Sequence, residues 1–264
     1  MFKLGPLLCD SIMMVITGKF LEAYKKEADK EVEQDDYKKL DILHHFTSGF
    51  KSLFTQSAYE GIDLCRQSCG GVGYSAFSGL PLDVVDYAPM AIFEGDNTVM
   101  AQQNAKYVIK KVTKARKGKK AKGYFTYFNE LDELCCLKPT GIDSVESFSS
   151  LDHLETALAV RAAYWVQKVV TDLSNSKEPE KVKINDLYAQ NITRMSKCHM
   201  WYLTFLMAKE NMRNHAFKDP NVKSTIELVM KIFALNQLSQ DSAVLYETGY
   251  FKQGSTLLLN QSFE

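Results

Sequence analysis

Proline is scarce in this chain and most glycines cluster, which leaves long segments free to form uninterrupted helices. In these segments apolar residues recur every three or four positions, as they do on the buried face of a helix. We predict helices over residues 8–33, 37–65, 98–113, 151–173, 184–212 and 222–240. Ser149 or Ser150 is placed to cap the fourth of these helices. No segment alternates apolar and polar residues as a half-buried strand does, so the pattern predicts an all-α fold.

Charge and cysteine usage exclude several classes of protein. The 264 residues carry 32 Lys and Arg against 32 Asp and Glu, without the basic surplus typical of nucleic-acid binding. The six cysteines are irregularly spaced and follow no secretory signal, which indicates a reducing compartment and no disulfide framework. Asp10 interrupts the first apolar run, and no run reaches the length of a membrane span. We expect no nucleic-acid partner and no membrane span.

A basic tract divides the chain. Residues 106–122 contain nine Lys or Arg and no acidic residue, and two glycines lie within residues 113–123. We place a domain boundary there, with helical parts at residues 1–115 and 124–264. The tract is interpreted as a solvated helix end and linker, although attraction of CoA phosphates, anionic lipid or RNA is the alternative.

Between Cys65 and Lys111 two glycine-containing elements flank a proline-containing loop. The first element reads CRQSCGGVGY and contains the pair Gly70 and Gly71. Glycines let backbone N–H groups approach an anion such as a pyrophosphate. The alternative is a helix end followed by a tight turn, which needs no ligand and which spacing alone favours. The aromatic and apolar residues within 70–89 predict that this loop is packed.

The second element reads FEGDNTVM and contains the acidic residue Glu94. Glu94 follows an apolar run and precedes a predicted helix start at Asn97 or Thr98. We expect such a carboxylate to be partly desolvated, and burial raises a carboxyl pKa toward that of a general base. The alternative is that Glu94 and Asp96 only favour a helix N-terminus through the helix dipole, and the residues alone favour this alternative.

Taken together, the segments CRQSCGGVGYSAFSGLP and IFEGDNTVMAQQNAKYVIKK resemble the acyl-CoA oxidase family. The resemblance rests on the C-R-x-x-C-G-G-x-G-Y element, the F-S-G-L-P loop and the F-E-G-D-N-T-V-M element, in that order. Weaker similarity covers residues 44–54 upstream and residues 151–170, 198–199 and 238–240 downstream. It implies a helical bundle of the oxidase C-terminal type, with residues 1–115 ending the catalytic α-domain and 124–264 forming an incomplete oxidase-specific helical domain.

The resemblance also implies an activity. Acyl-CoA oxidases use FAD to convert a fatty acyl-CoA to the trans-2-enoyl-CoA in fatty acid β-oxidation, with oxygen as electron acceptor and hydrogen peroxide as product. Glu94 matches the base that removes the α-proton, and Gly95 matches a position that touches the substrate. Other residues match positions along the ADP portion of FAD, commonly the FAD of a neighbouring subunit, or beside the cofactor: Gln67, Ser68, Cys69, Gly70, Gly71, Asp96 and Thr98.

The sequence also departs from the family pattern. Val72 stands where many oxidases have histidine, Gln67 where several have an acid, and Asp96 where glutamate is commoner. Family members carry an N-terminal helical domain and a β-rich domain that holds the flavin ring, whereas only residues 1–64 precede the first element here. We therefore expect that the chain does not complete a flavin pocket alone. A non-catalytic subunit of a larger complex and an incomplete gene model are the alternatives to an active enzyme.

Partners and compartment follow from the same resemblance. The implied substrate is a fatty acyl-CoA, and the implied assembly is a homodimer or a hetero-oligomer with a longer oxidase subunit. The implied compartment is the peroxisome, with the mitochondrion as the alternative, and the sequence ends in Gln-Ser-Phe-Glu and lacks a Ser-Lys-Leu signal.

Two further histidine and cysteine groupings have ordinary explanations. Cys65 and Cys69 are separated by three residues and have no second cluster beyond His44 and His45, which is poor spacing for zinc, so we predict no metal site. His199 is interpreted as a packed helical histidine and not as the partner of a nucleophile.

Overall fold

The computed structural model of the chain describes residues 3–138, 144–215 and 217–263, and within these ranges the regular elements are helices and there is no strand. The prediction of an all-α fold is therefore confirmed. The chain divides into two compact units, Met1–Asn104 and Ala105–Glu264, and the division falls inside the helix Asn97–Arg116. The assignment of domains to residues 1–115 and 124–264 stays a prediction.

In the first unit, two long helices are followed by short helices and by the start of a third long one. The helices are α1 (Leu4–Val32), α2 (Lys38–Ser68), α3 (Gly71–Tyr74), α4 (Leu80–Tyr87) and α5 (Asn97–Arg116). Helix α1 packs against α2 through aromatic rings. Tyr24 of α1 contacts Phe46 of α2 edge to face, and Phe50 stacks on Phe54 at a centroid distance of 4.9 Å.

A buried polar contact joins α2 to the start of α5. The Asn104 side-chain amide donates to the His45 carbonyl oxygen at 3.0 Å and lies 3.0 Å from His45 Nδ1. Both side chains are buried, so the contact satisfies groups that would otherwise be destabilising in the core. His45 therefore has a structural role in this unit.

Helix α1 is long and apolar enough to cross a membrane by length and composition. The expectation that no segment reaches that length is corrected here, because an 18-residue window tolerates Asp10 and Lys19 whereas an unbroken run does not. Only 22% of that window is buried within the unit. A core helix with one face still uncovered has the same composition, so length and hydropathy do not assign α1 to a membrane.

The loop from Gly70 to Pro89 differs from the prediction. It forms short helices and 3₁₀ turns, and α4 packs against α2 with Tyr87 partly buried, but two aromatic side chains are not packed. Tyr74 is 85% exposed and Phe77 is fully exposed. The prediction of a packed loop is therefore confirmed for α4 and wrong for Tyr74 and Phe77, because no described segment of their unit covers these two rings.

The second unit is built around α7, which packs against α9 and α10. Its helices are α6 (Leu131–Cys136), α7 (Leu151–Asn175), α8 (Glu180–Val182), α9 (Ala189–Asn214), α10 (Pro220–Gln240), α11 (Ala243–Glu247) and α12 (Ser255–Gln261). Ser150 caps α7 by accepting a hydrogen bond from the His153 N–H, which confirms the predicted cap. Trp201 and Phe233 meet edge to face at 5.4 Å in the core.

The helix predicted over residues 184–212 begins later than expected. Residues Lys183–Leu187 form a turn of π-helix, and the backbone leaves helical geometry at Tyr188 before α9 begins. Ile184 is nevertheless buried. Its position therefore fits the apolar spacing of α9 although it lies in the π-helical turn before that helix. The other five predicted helices are confirmed to within a few residues.

His199 is fully buried on α9, and its Nδ1 lies 2.7 Å from the Tyr127 hydroxyl oxygen. The rings of Phe125 and Phe128 pack close to the imidazole. The interpretation as a packed histidine is confirmed. Burial lowers the pKa of His199 to about 3, because the charged imidazolium is poorly solvated there.

This burial predicts that the second unit loses stability in mild acid. Below pH 6.5 the unfolded histidine binds a proton that the folded one rejects, so stability falls as the pH falls from about 6.5 toward 3. Between pH 7 and pH 5 we expect a loss of about 2 kcal/mol from this residue. Urea unfolding followed by tryptophan fluorescence reports on this unit, which contains both tryptophans. His199→Gln should remove most of the loss, and an equal loss in the variant would contradict the prediction.

Candidate functional site

Glu94 adopts an unusual backbone conformation. Its φ of +58° lies in the left-handed region, and Asp35 is the other non-glycine residue with positive φ among the described residues. This conformation is unfavourable by about 1–2 kcal/mol for a residue that carries a Cβ. Such strain persists where the surrounding structure holds the residue, which is typical of functional sites.

Helix α2 holds the segment around Glu94 by side-chain hydrogen bonds. Lys51 Nζ donates to the Gly95 carbonyl oxygen and, at 2.9 Å, to Asn97 Oδ1. The Ser52 hydroxyl donates to the Asn97 carbonyl oxygen at 2.6 Å, and the Thr55 hydroxyl donates to Asn97 Oδ1 at 3.0 Å. No motif in the sequence indicates these α2 residues. Their spacing on one face of a predicted helix is the signal that could have indicated them.

Gly95 and Asp96 complete the turn into α5. Gly95 has φ +102°, and a Cβ there would lie 2.6 Å from Met100 Sδ. The Asp96 carboxylate accepts a hydrogen bond from the Thr98 N–H at 2.8 Å. Helix α5 therefore starts at Asn97 as predicted, and the expectation that Asp96 favours a helix N-terminus is confirmed.

Glu94 is exposed and makes no hydrogen bond or ion pair with the residues that the structure describes. The expectation of a partly desolvated carboxylate is therefore corrected for this chain by itself. The reason is that its apolar neighbours Ile92, Phe93 and Val99 are also exposed, so they form no wall over the carboxylate.

The glycine-containing element ends helix α2 in a tight turn. The Cys69 N–H donates to the Arg66 carbonyl oxygen, and the Gly70 N–H donates to the Gln67 carbonyl oxygen, both at 3.1 Å. Gly70 has φ +57°. A Cβ on Gly73 would lie 1.9 Å from the Arg66 carbonyl oxygen. The turn alternative is therefore correct for the geometry, and Gly73 is required by it whether or not a ligand binds.

Of the residues predicted to contact FAD, five are exposed and contiguous at the end of α2: Gln67, Ser68, Cys69, Gly70 and Gly71. The other two, Asp96 and Thr98, are exposed at the start of α5. A Cβ added to Gly70 or Gly71 would have no atom within 4 Å. The backbone there is therefore open to a ligand. Arg66 beside them is paired with Asp63 at 2.6 Å. These residues leave one side of the turn open and do not enclose a ligand.

An apolar cavity of about 780 Å³ lies between α1, α2 and α4 of the first unit. Its walls include Leu4 and Leu8 of α1, Ile62 of α2 and Leu80 of α4. The volume is that of a small-molecule pocket. Glu94 does not line it, so this cavity is separate from the candidate base.

Metal ligands do not gather in the described part of the chain. Within residues 3–138, 144–215 and 217–263, no group of three or more His, Cys, Asp or Glu residues could hold a metal ion.

We expect Lys51 to position the strained segment. Lys51→Met removes two hydrogen bonds from a charged donor, so the segment around Glu94 should open about tenfold more often. Hydrogen exchange of a peptide covering residues 92–100 measures this opening. The matched control is Lys39→Met, also on α2, whose amine pairs with Glu27 and Glu31. Equal exchange in the Lys51 variant and in the control would contradict the positioning role.

Comparison with protein families matches both halves of the chain. A family model described as "Acyl-CoA oxidase, C-alpha1 domain" matches residues 1–109, and one described as "Acyl-CoA oxidase" matches residues 150–264. Peroxisomal acyl-coenzyme A oxidase 1 of Rattus norvegicus is 29% identical over 264 residues, which cover 97% of this chain and 38% of the rat protein. The chain thus spans well under half the length of such curated relatives.

Solved structures agree with these matches. An acyl-CoA oxidase from tomato, Lycopersicon esculentum, superposes with a TM-score of 0.91 at 25% identity, over 98% of this chain and 39% of the tomato chain. Acyl-CoA oxidase-1 of Caenorhabditis elegans, determined in complex with FAD and ATP, shares the fold with a TM-score of 0.86 at 19% identity, over 98% of this chain and 39% of the nematode chain.

Proposed function

Because this chain belongs to the acyl-CoA oxidase family and matches its C-terminal helical portion, we propose that it supplies the catalytic base of an FAD-dependent oxidase. The substrate is a fatty acyl-CoA, and the products are the trans-2-enoyl-CoA and hydrogen peroxide. The observation that carries the proposal is the left-handed Glu94, followed by an obligatory glycine and anchored to α2 through Lys51 and Asn97.

Each residue of this segment has a chemical task in the proposal. The Glu94 carboxylate accepts the α-proton of the thioester, and its backbone N–H donates to the thioester carbonyl oxygen. Gly95 lets the substrate approach the backbone. FAD, when bound, accepts the hydride from the β-carbon and passes the electrons on to oxygen. Lys51 keeps the carboxylate where the proton must be taken.

The assembled enzyme must also exclude water from the site around Glu94. Glu94 and its apolar neighbours Ile92, Phe93 and Val99 are exposed in this chain. Covering them with the remaining domains of an oxidase would remove water from the carboxylate before it accepts the α-proton. The exposed apolar neighbours support this step, because large exposed apolar groups commonly mark a surface that another segment covers.

The cofactor contacts are proposed for Gln67, Ser68, Cys69, Gly70 and Gly71 along the ADP portion of FAD, with Asp96 and Thr98 beside the cofactor. The open backbone at the two glycines supports this placement. Next to them, Val72, Tyr74 and Phe77 expose apolar surface that suits a second subunit. A homodimer or a hetero-oligomer with a longer oxidase subunit would provide that subunit.

We propose a peroxisomal location, because the rat relative is named a peroxisomal enzyme. The mitochondrial alternative has no support from the relatives and is dropped.

A fusion protein tests the proposal. The amino-terminal helical and flavin-binding regions of the rat oxidase, joined to this chain in the order in which relatives carry them, should bind FAD and release peroxide when given a fatty acyl-CoA. Visible absorption shows whether flavin is bound, and a peroxidase-coupled assay measures turnover. A fusion that folds and retains flavin but forms no peroxide would contradict the catalytic assignment.

A non-catalytic subunit is the second candidate, favoured by the exposure of Glu94 in this chain. In that case the residues from Gln67 to Gly71 would contact the FAD of a longer partner. The purified chain should then copurify with a longer oxidase subunit without adding activity to it. Stoichiometric FAD binding by the chain alone would exclude this candidate.

A further inference from the structure

A small polar pocket of about 220 Å³ lies in the second unit, among α7, α9 and the end of α10. Three cationic side chains contribute to its wall: Arg161, Arg194 and Lys197. Asp241 is the one acidic residue among the described residues that line it. The lining thus carries a net charge of +2, from three positive groups and one negative group. A volume below that of a drug-sized site suits a small ion or a single charged group.

Arg161 is the decisive residue, because it is only 2% exposed. Its Nη1 donates to the Gln237 carbonyl oxygen. Its Nε and Nη2 atoms are buried and have no hydrogen-bond partner within the described parts of the chain. Burying a guanidinium with unsatisfied donors is strongly unfavourable unless an acceptor satisfies them, and an anion also balances the charge.

The two unsatisfied donors have the geometry of an oxyanion fork. In a planar guanidinium, the Nε–H and one Nη2–H bond point the same way, and this side carries bidentate contacts with carboxylate and phosphate oxygens. The hydrogen bond from Nη1 to Gln237 orients the plane, and Nε and Nη2 on its other side are buried without a partner among the described residues. Because Arg161 lines the pocket, an oxyanion bound there could satisfy both donors bidentately.

The other two cations stand at the pocket without ion-pair partners. Arg194 and Lys197 are both exposed on α9, and neither lies within 4.0 Å of a described carboxylate. The Arg194 guanidinium lies over the Trp165 ring, 5.4 Å from its centroid, which fixes its position. Asp241 Oδ2 lies 3.9 Å from Cys198 Sγ and makes no ion pair with Arg161. These charges raise the local concentration of anions.

We propose that this pocket binds a phosphate-class oxyanion, held bidentately by Arg161 and flanked by Arg194 and Lys197. The ligand is either inorganic phosphate or the phosphate group of a small organic molecule. A doubly charged oxyanion matches the net charge of the lining and satisfies both orphan donors. The proposal concerns only the second unit and does not depend on the assignment of Glu94.

Titration of the full chain with inorganic phosphate, at constant ionic strength set with sodium chloride, tests the proposal. We expect saturable binding of one phosphate per chain by calorimetry. The melting temperature should rise by about 6 °C when phosphate reaches 100 times its Kd. Glycerol phosphate distinguishes the two sources, because its binding shows that the pocket accepts an esterified phosphate. Saturable binding of acetate or succinate without binding of phosphate would overturn the phosphate assignment.

Three variants separate a site from a general salt effect. Arg161→Met removes the buried charge, so it should abolish binding while melting in chloride at least as high as the parent chain. Arg194→Gln combined with Lys197→Gln leaves the core intact and should weaken binding about tenfold or more. Arg213→Gln, an exposed change on the same helix, should leave binding unchanged. If phosphate raised the melting temperature of all variants equally, the effect would be a non-specific effect of salt, and the proposal would be overturned.

A substitution at Asp241 is expected to change phosphate affinity in the opposite direction. If the pocket binds a dianion, Asp241→Asn removes a repulsive charge and should tighten phosphate binding about fivefold. If Asp241 instead serves as the counter-ion of Arg161 in solution, the same variant should melt lower in chloride and gain no affinity. That result would overturn the proposal.

Discussion

Glu94→Gln is expected to lower peroxide formation by about a thousandfold in an assembled oxidase that contains this chain. Glutamine has nearly the size and shape of glutamate, but its amide cannot accept the α-proton of the thioester. The backbone at this position would keep its left-handed conformation, because Lys51 and Asn97 hold the neighbouring residues. Peroxide release and the rate of flavin bleaching by a fatty acyl-CoA measure the effect.

A matched acidic position separates the base from a general loss of charge. Glu60→Gln changes an exposed glutamate on α2 and should leave turnover unchanged. Flavin content and substrate affinity should stay the same in Glu94→Gln, since only the proton acceptor is removed. Turnover in the Glu94 variant at the rate of the Glu60 variant would exclude Glu94 as the base.

The strain at Glu94 adds a second readout. Glu94→Gly should stabilise the first unit by about 1 kcal/mol, because glycine adopts a positive φ without a steric penalty. The same variant should be inactive. Stability gained where activity is lost is the pattern expected of a strained residue retained for function.

Gly73→Ala is expected to destabilise the first unit by about 3 kcal/mol. The added methyl would stand 1.9 Å from the Arg66 carbonyl oxygen, and this atom belongs to the backbone of α2, so no side-chain rotation relieves the overlap. The end of α2 or the turn after it must therefore shift. Urea unfolding followed by circular dichroism measures the loss of stability.

Gly71→Ala is the control for this change. Gly71 lies two residues away, its φ is not in the left-handed region, and a Cβ there would have no neighbour within 4 Å. Stability should change by less than about 0.5 kcal/mol. If Gly71 contacts FAD as proposed, the control should weaken flavin binding in the assembled enzyme without affecting folding. Equal stability of the two variants would contradict the structural role of Gly73.

Much of the fold follows from local rules. The helix 151–173 could be predicted because both of its signals are local in sequence. These signals are the apolar period of three to four residues and the Ser150 cap. The start of α5 was predictable for the same reason, since Asp96 caps it from two residues away. The π turn before α9 was not predictable, because Ile184 is buried and keeps the apolar spacing of a helix although the backbone leaves helical geometry at Tyr188.

In the candidate site, too, the residues within one short segment could be predicted and the contacts between distant segments could not. The motif identified Glu94, Gly95 and the glycine turn, because each lies within one short segment. Lys51 could not be identified in that way, since its contacts with Gly95 and Asn97 join residues more than 40 positions apart. The exposure of Glu94 and of Phe77 was likewise hidden, because burial depends on what packs over a segment and not on its own composition.

By itself, the sequence determined the helices, their caps, the glycine positions and the family, because these depend on residues that are neighbours along the chain. Only the tertiary structure decided which side chains hold Glu94 in a strained backbone, which apolar residues are left uncovered, and how Arg161 is buried with two donors unsatisfied. The physical reason is that desolvation and hydrogen bonding between distant segments arise only when the chain is folded.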